Sequence, residues 1–154
     1  MAYAETTTVP VEKSITEIIG LVKKAGAERV MQYDEPERFT IAFDLSGRHI
    51  RFGVALPQLD AVPAIRGDGR RRSNSEILAK RDAMQRQRAR AVLLVIKAKL
   101  ESVESEVETF EEAFLANIIM ADGSTVYERV AQPIALEYSS GLPEQLLLSV
   151  PGAK

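Results

Sequence analysis

Apolar residues recur with two different periods along this chain, and the change between them marks its elements. In the stretch FTIAFDLSGRHIRFGVAL, Phe39, Ile41, Phe43 and Leu45 alternate with Thr40, Ala42 and Asp44. After Ser46 and Gly47 a second run alternates Ile50, Phe52, Val54 and Leu56 with Arg51, Gly53 and Ala55. A period of two puts each apolar set on one face of a strand, and two such runs across a Ser-Gly turn predict a β-hairpin. Residues 29–33 predict a third, shorter strand. Residues 6–11, TTTVPV, also alternate, and Pro10 confines them to a sheet edge or the start of an element. One face of this sheet carries aromatic and branched side chains and requires a helix against it.

The helical period governs the rest. Ser14 and Glu17 have the spacing of a capping box, in which each side chain meets the other residue's backbone N–H. Ile15, Ile18, Ile19 and Val22 then share a face, and Gly26 is a natural stop, so the pattern predicts a helix over residues 14–25. Residues 57–74 contain Pro, Gly and charge without any period and read as a long loop. Ser73 with Glu76 repeats the capping-box spacing and starts a long helix expected to reach about residue 107. Thr109 with Glu112 starts a shorter one, TFEEAFLANII. After the Asp122-Gly123 turn a last helix runs to Gly141, with Pro133 either kinking or dividing it. Leu146 to Leu148 are apolar enough to dock on the body. The expected fold is one α+β domain over residues 1–154. Residues 1–57 supply a short amino-terminal helix and a small antiparallel sheet, residues 58–74 a basic loop, and residues 75–154 a helical part whose long central helix covers the sheet with the first helix, the carboxyl-terminal helices completing the core.

Composition narrows the class. The chain has 154 residues, 45% of them hydrophobic and 27% charged, as in globular proteins that bury a core. No apolar run approaches the roughly 18 residues of a membrane span, and the amino terminus has no signal-peptide pattern. The absence of cysteine excludes a disulfide scaffold, a zinc-thiolate site and a cysteine nucleophile.

Charge changes the picture more. The net charge is -2, yet residues 66–99 hold 11 Lys and Arg against 3 Asp and Glu, while residues 100–154 hold 2 against 10. A basic block within an acidic chain points to nucleic acid or to self-association. Arg66, Arg70, Arg71 and Arg72 lie in the loop, and Lys80, Arg81, Arg86, Arg88 and Arg90 at the helix start. Cations there oppose the helix dipole, so an external anion would compensate them, and arginine favours bidentate phosphate or carboxylate contact. No aromatic lies inside the block to stack on bases, and no base-reading motif is present. The expected mode is contact with the phosphate backbone without sequence specificity. At about 100° per residue, Arg86, Arg90, Lys97, Glu101, Glu104 and Glu108 form one stripe, which reads most simply as the water-facing side, with Lys97 and Glu101 as an i, i+4 pair. The apolar AVLLVI block wraps most other sides, which predicts a helix enclosed by several neighbours or by a second chain. Two copies packed antiparallel would bring basic half against acidic half across that block.

Other chemistry is weak. His49 is the only histidine and sits beside the hairpin turn, where a structural role is the commoner one. RGDGR could shape an anion-binding nest, though a turn is the simpler reading. Glu101, Glu104 and Glu108, with Glu111 and Glu112 nearby, form an acidic stripe from which a two-metal site could begin, and a solvated face is the commoner account of them. No metal, cofactor or catalytic residue is expected.

The segments TTVPVEK, FDLSGRHIRFGVALP, QRQRARAVLLVIKAKLESVE and TFEEAFLANIIMADGSTV, in this order, resemble a group of small proteins encoded by tailed bacteriophages and prophages. The resemblance spans nearly the whole chain. It implies a viral origin and expression in the cytoplasm of the bacterial host, and carries over no catalytic residue. The reading is a non-enzymatic phage accessory protein that binds nucleic acid. The alternatives are a protein that blocks a host defence or metabolic factor, by meeting an acidic host protein or by sequestering an anionic nucleotide, and a component of the particle.

Overall fold

The computed structural model describes residues 4–145. It is an α+β fold: a three-stranded antiparallel sheet in the order β1-β2-β3, with helices before and after it. Helix α1 (Val11–Lys24) precedes strands β1 (Glu28–Glu35), β2 (Arg38–Leu45) and β3 (Arg48–Ala55); α2 (Asn74–Glu104), α3 (Phe110–Phe114) and α4 (Val126–Ser140) follow.

The hairpin forms in the expected register, Leu45 opposite Arg48 through Arg38 opposite Ala55. Ser46 and Gly47 have φ of 51° and 72°, the left-handed pair that a two-residue turn needs to match strand twist. The sheet's inner face carries Phe39, Ile41, Phe43, Ile50 and Phe52 into a core shared with Ile15, Ile18 and Val22 of α1 and Ala89, Leu93 and Ile96 of α2. The two helices lie side by side in the same direction. Glu17 meets Arg90, and further along Leu21 and Lys24 face Lys97 and Leu100 across a groove of about 500 Å³. Phe114 of α3 closes the far end, edge-on to Phe43 and Phe52 and stacked on Phe110 at 4.9 Å between centroids. Helices α1, α2 and α3 all lie on this inner face.

Several expectations are corrected. Residues 6–11 form no strand, and the Ser14–Glu17 capping box is not made. Pro10 occupies the cap, where its missing N–H costs nothing, and its carbonyl accepts from the N–H of Ser14. The helix therefore starts three residues early, at Val11, and Ser14 is buried inside it. The long loop before α2 stands as expected, and within it a 3-10 turn spans Leu59–Ala61 and Ile65 bridges to Arg71. Helix α2 stops at Glu104, because Glu106 turns left-handed. There the N–H groups of Glu106 and Val107 donate back to Val103 and Ser102, a Schellman closure. TFEEAFLANII divides: after α3 and a 3-10 turn (Leu115–Asn117), Ile118 extends to bridge Ile50 at the β3 edge, and Ile119 bridges Thr125. Pro133 leaves α4 undivided, but α4 gives the core only Val126, with Val130 beside it. Nor is the end of α2 enclosed within the chain, for Val95 is 48% exposed. Leu146 to Leu148 lie outside the described residues. Among the described residues no helix is long and apolar enough to cross a membrane.

The capping boxes at Ser73–Glu76 and Thr109–Glu112 are made in full, and Thr125–Glu128 adds another. Phe114→Ala should lower unfolding stability by about 3–5 kcal/mol, and Ser73→Ala by about 1 kcal/mol, measured by urea denaturation. A loss under 1 kcal/mol for Phe114→Ala would mean that this ring does not close the core.

Candidate nucleic-acid interface

The basic loop is built as a finger. Arg66 and Arg70 pair through the Arg66 N–H and the Arg70 carbonyl (2.7 Å), and the N–H of Arg72 donates to Ala64 (2.9 Å). At the tip the Asp68 carboxylate accepts the N–H of Arg70, and Gly69 takes φ of 83°, which glycine adopts without strain. Two of its arginines hold the finger in place. Arg66 bridges Asp68 (3.1 Å) and Glu76 (3.0 Å), tying the tip to the first turn of α2. The Arg72 guanidinium donates to the carbonyls of Pro63 (2.6 Å) and Ile65 (2.9 Å). Arg70 and Arg71 are exposed, and their side chains have no partner among the described residues.

The helical cations do not gather in one place. Lys80 is exposed and unpaired among the described residues. Arg81 is held by Asp82 at 2.9 Å and Arg90 by Glu17 at 2.5 Å. Arg88 donates to the Ala55 carbonyl at the end of β3 (3.0 Å). Arg86 has its Nε buried without a partner. Arg90 thus faces α1 while Arg88 faces β3, on opposite flanks of α2. The dipole of α2 is met from inside: Glu76 sits at its first turn, its pKa lowered chiefly by the Ser73 N–H and hydroxyl and further by Arg66.

The stripe faces water from Lys97 onward: Lys97, Glu101, Glu104 and Glu108 are exposed, and the first three also rim the groove beside α1, whereas Arg86 and Arg90 are half-buried. Lys97 and Glu101 make no ion pair within 4 Å among the described residues. Leu93 and Ile96 of the AVLLVI block are buried in the chain's own core, so they cannot form a seam between two copies without unpacking it.

The remaining carboxylates are dispersed. Glu108 accepts from Ser102, Glu111 reaches Arg48 at 3.5 Å, and Glu112 caps α3. Among the described residues no group of three His, Cys, Asp or Glu could hold a metal ion. His49 contacts Asp44, which Arg29 also contacts. His49 is the main cause, ahead of Arg29, of the lowered Asp44 pKa.

A second feature was not legible from the basic block. The sheet's outer face bears no helix, and one end of it forms a cleft of about 600 Å³ against the start of α4, lined by Tyr33, Arg38, Thr40, Gly53, Asn117 and Tyr127 among others. The Arg51 guanidinium fixes that wall by a two-pronged contact with Glu128 (2.8 and 3.0 Å) and a bond to the Gly123 carbonyl. A glycine in the middle of an otherwise regular strand was the one sequence signal for it.

Comparison with protein-family models, curated proteins and solved structures finds no match.

The pKa values of Asp44, Glu76, Glu112, Asp122 and Glu128 are all lowered by hydrogen bonds, joined at every one but Glu112 by a neighbouring cation. Carboxylates with depressed folded-state values stabilise fully above the unfolded value, and that contribution is lost as pH falls through the folded one. The urea midpoint should hold from pH 7 to about 5 and drop below about 4. Glu128→Gln should lessen the drop. A midpoint that rises on acidification would contradict these assignments.

Proposed function

We propose that this chain is a non-enzymatic accessory protein, of phage origin, that binds nucleic acid through its phosphates without reading sequence. The observation that carries the reading is the finger over residues 64–72. It is fixed to α2 by Arg66 and braced by Arg72, and so presents Arg70 and Arg71 outward with no carboxylate upon them. Lys80, on the exposed side of α2 shortly beyond, adds a third cation. Arg66, Arg81 and Arg90 have carboxylate partners within the molecule, so their part in phosphate binding is secondary. Arg86 and Arg88 serve chiefly to pack α2. The binding free energy comes from counterions released when these side chains meet phosphates.

A second reading, capture of a host protein, is favoured by α4, whose Tyr138 is 90% exposed and whose Ile134 and Leu136 are also exposed. Copurification separates the two. Material absorbing at 260 nm and removable by nuclease supports the first, and a stoichiometric host protein supports the second.

The direct test is the salt dependence of binding to duplex DNA. Affinity should fall steeply with salt, and Arg70→Ala with Arg71→Ala should make the negative slope of log K against log salt shallower by roughly 1 to 2. A salt-independent affinity, or a slope unchanged by the double substitution, would refute the mechanism.

A further inference from the structure

The arrangement on the uncovered face of the sheet goes beyond phosphate contact. Gly53 lies in the middle of β3, directly opposite Thr40 of β2. A strand-interior glycine is destabilising relative to alanine, so its presence calls for a reason. Here a Cβ at residue 53 would sit 2.8 Å from Nη2 of Arg38. The missing side chain lets the Arg38 guanidinium lie down upon the sheet. Arg38 has no ion pair among the described residues. Its cleft neighbour Glu35 does not close one with it, and Arg51 and Glu128 satisfy each other. An exposed cation with one side seated on backbone and no carboxylate partner is ready for an anion.

Two aromatic rings stand in the same cleft. Tyr33 of β1 is 64% exposed and Tyr127 of α4 is 62% exposed, although large apolar rings are ordinarily covered. Thr40 and Asn117 supply polar edges. Asn117 gives its amide N–H to the Arg51 carbonyl (3.1 Å), which fixes the side chain and leaves its oxygen as an acceptor. Exposed rings beside an unpaired arginine suit a ligand with planar, stackable faces and negative charge between them, which is the chemistry of a nucleic-acid strand whose bases are unpaired. A duplex keeps its base faces stacked inside and cannot offer them.

The cleft adjoins the basic elements. Ala55, the cross-strand partner of Arg38, is also the residue whose carbonyl takes the Arg88 guanidinium. Gln58 then ties the exit of β3 to the β1–β2 turn at Pro36, and Gln85 ties it to α2 through the Pro57 carbonyl. The end of the sheet that holds Arg38 is therefore the end from which the chain leaves for the finger and α2.

We infer that the open face of the sheet is a binding site for single-stranded nucleic acid, with bases stacked on Tyr33 and Tyr127 and a phosphate on the Arg38 guanidinium. This rests on the nucleic-acid reading above and deepens it, adding strand preference and a second contact surface.

The test is fluorescence anisotropy of a labelled oligothymidylate of about 12 nucleotides, beside a duplex of equal length and thymidine monophosphate as competitor. The single strand should bind more tightly than the duplex. Tyr33→Leu and Tyr127→Leu should each weaken it about ten-fold, whereas Tyr33→Phe, which keeps the ring, should bind as the parent does. Arg38→Ala should weaken binding and flatten its salt dependence. Gly53→Ala, which pushes the guanidinium off its seat, should act in the same direction without loss of thermal stability. The altered side chains are exposed, so unfolding temperatures should match the parent's. If duplex and single strand bind alike and the cleft variants equal the parent, while the Arg70 and Arg71 variants lose affinity, this inference fails and the finger reading stands. If only the cleft variants lose affinity, the finger reading fails and the cleft remains. If neither strand binds, both fail. Displacement of the oligonucleotide by equimolar thymidine monophosphate would make the occupant a mononucleotide and overturn the single-strand assignment.

Discussion

One-sided burial of the sheet is the constraint on which the rest depends. Phe39, Ile41, Phe43, Ile50 and Phe52 must leave water together, and a strand's period of two sends the residues between them to the opposite face. Helices α1 and α2, lying side by side, cover the first set, and α3 seals its end with Phe114. No helix is left to cover the second set. Thr40, Ala42, Arg51 and Gly53 therefore look outward, approached at one corner by the 3-10 turn at Asn117 and the start of α4. The polar and small character of that face follows from its position, and its two tyrosines and unpaired arginine are what burial does not explain.

Elements whose signals are local were legible in the sequence. The hairpin showed because alternation and a Ser-Gly turn are contiguous, and two capping boxes showed because their partners are three residues apart. Ser14–Glu17 had the same spacing and misled, since Pro10 can open a helix without a side-chain cap, and the apolar face of α1 then draws Ser14 inward. TFEEAFLANII has helical composition, yet Ile118 and Ile119 find partners on the β3 edge and in Thr125, contacts that no local pattern encodes. The helical pattern of α4 likewise gave no hint of how little of it would be buried.

The candidate site divides in the same way. That arginines crowd residues 66–90 is a matter of counting. Which of them remain available depends on Glu17 reaching Arg90 across 73 positions, and on Glu76 reaching back to Arg66. Counting suggested one cationic patch, whereas the faces of α2 separate Arg88 from Arg90. The aromatic partners missing from the basic block lie elsewhere in the chain, at Tyr33 and Tyr127. Folding brings these to one cleft with Arg38, and only Gly53 marked the place in advance.

The most direct test of a bare functional sheet face above a buried one is a map of backbone amide shifts in isotope-labelled protein as a single-stranded oligonucleotide is added. The account predicts that shifts concentrate on the outward positions of β2 and β3 around Thr40 and Gly53, on Tyr33 and Tyr127, and on the finger at Arg70 and Arg71. Shifts confined to the groove between α1 and α2, around Leu21 and Leu100, would contradict it.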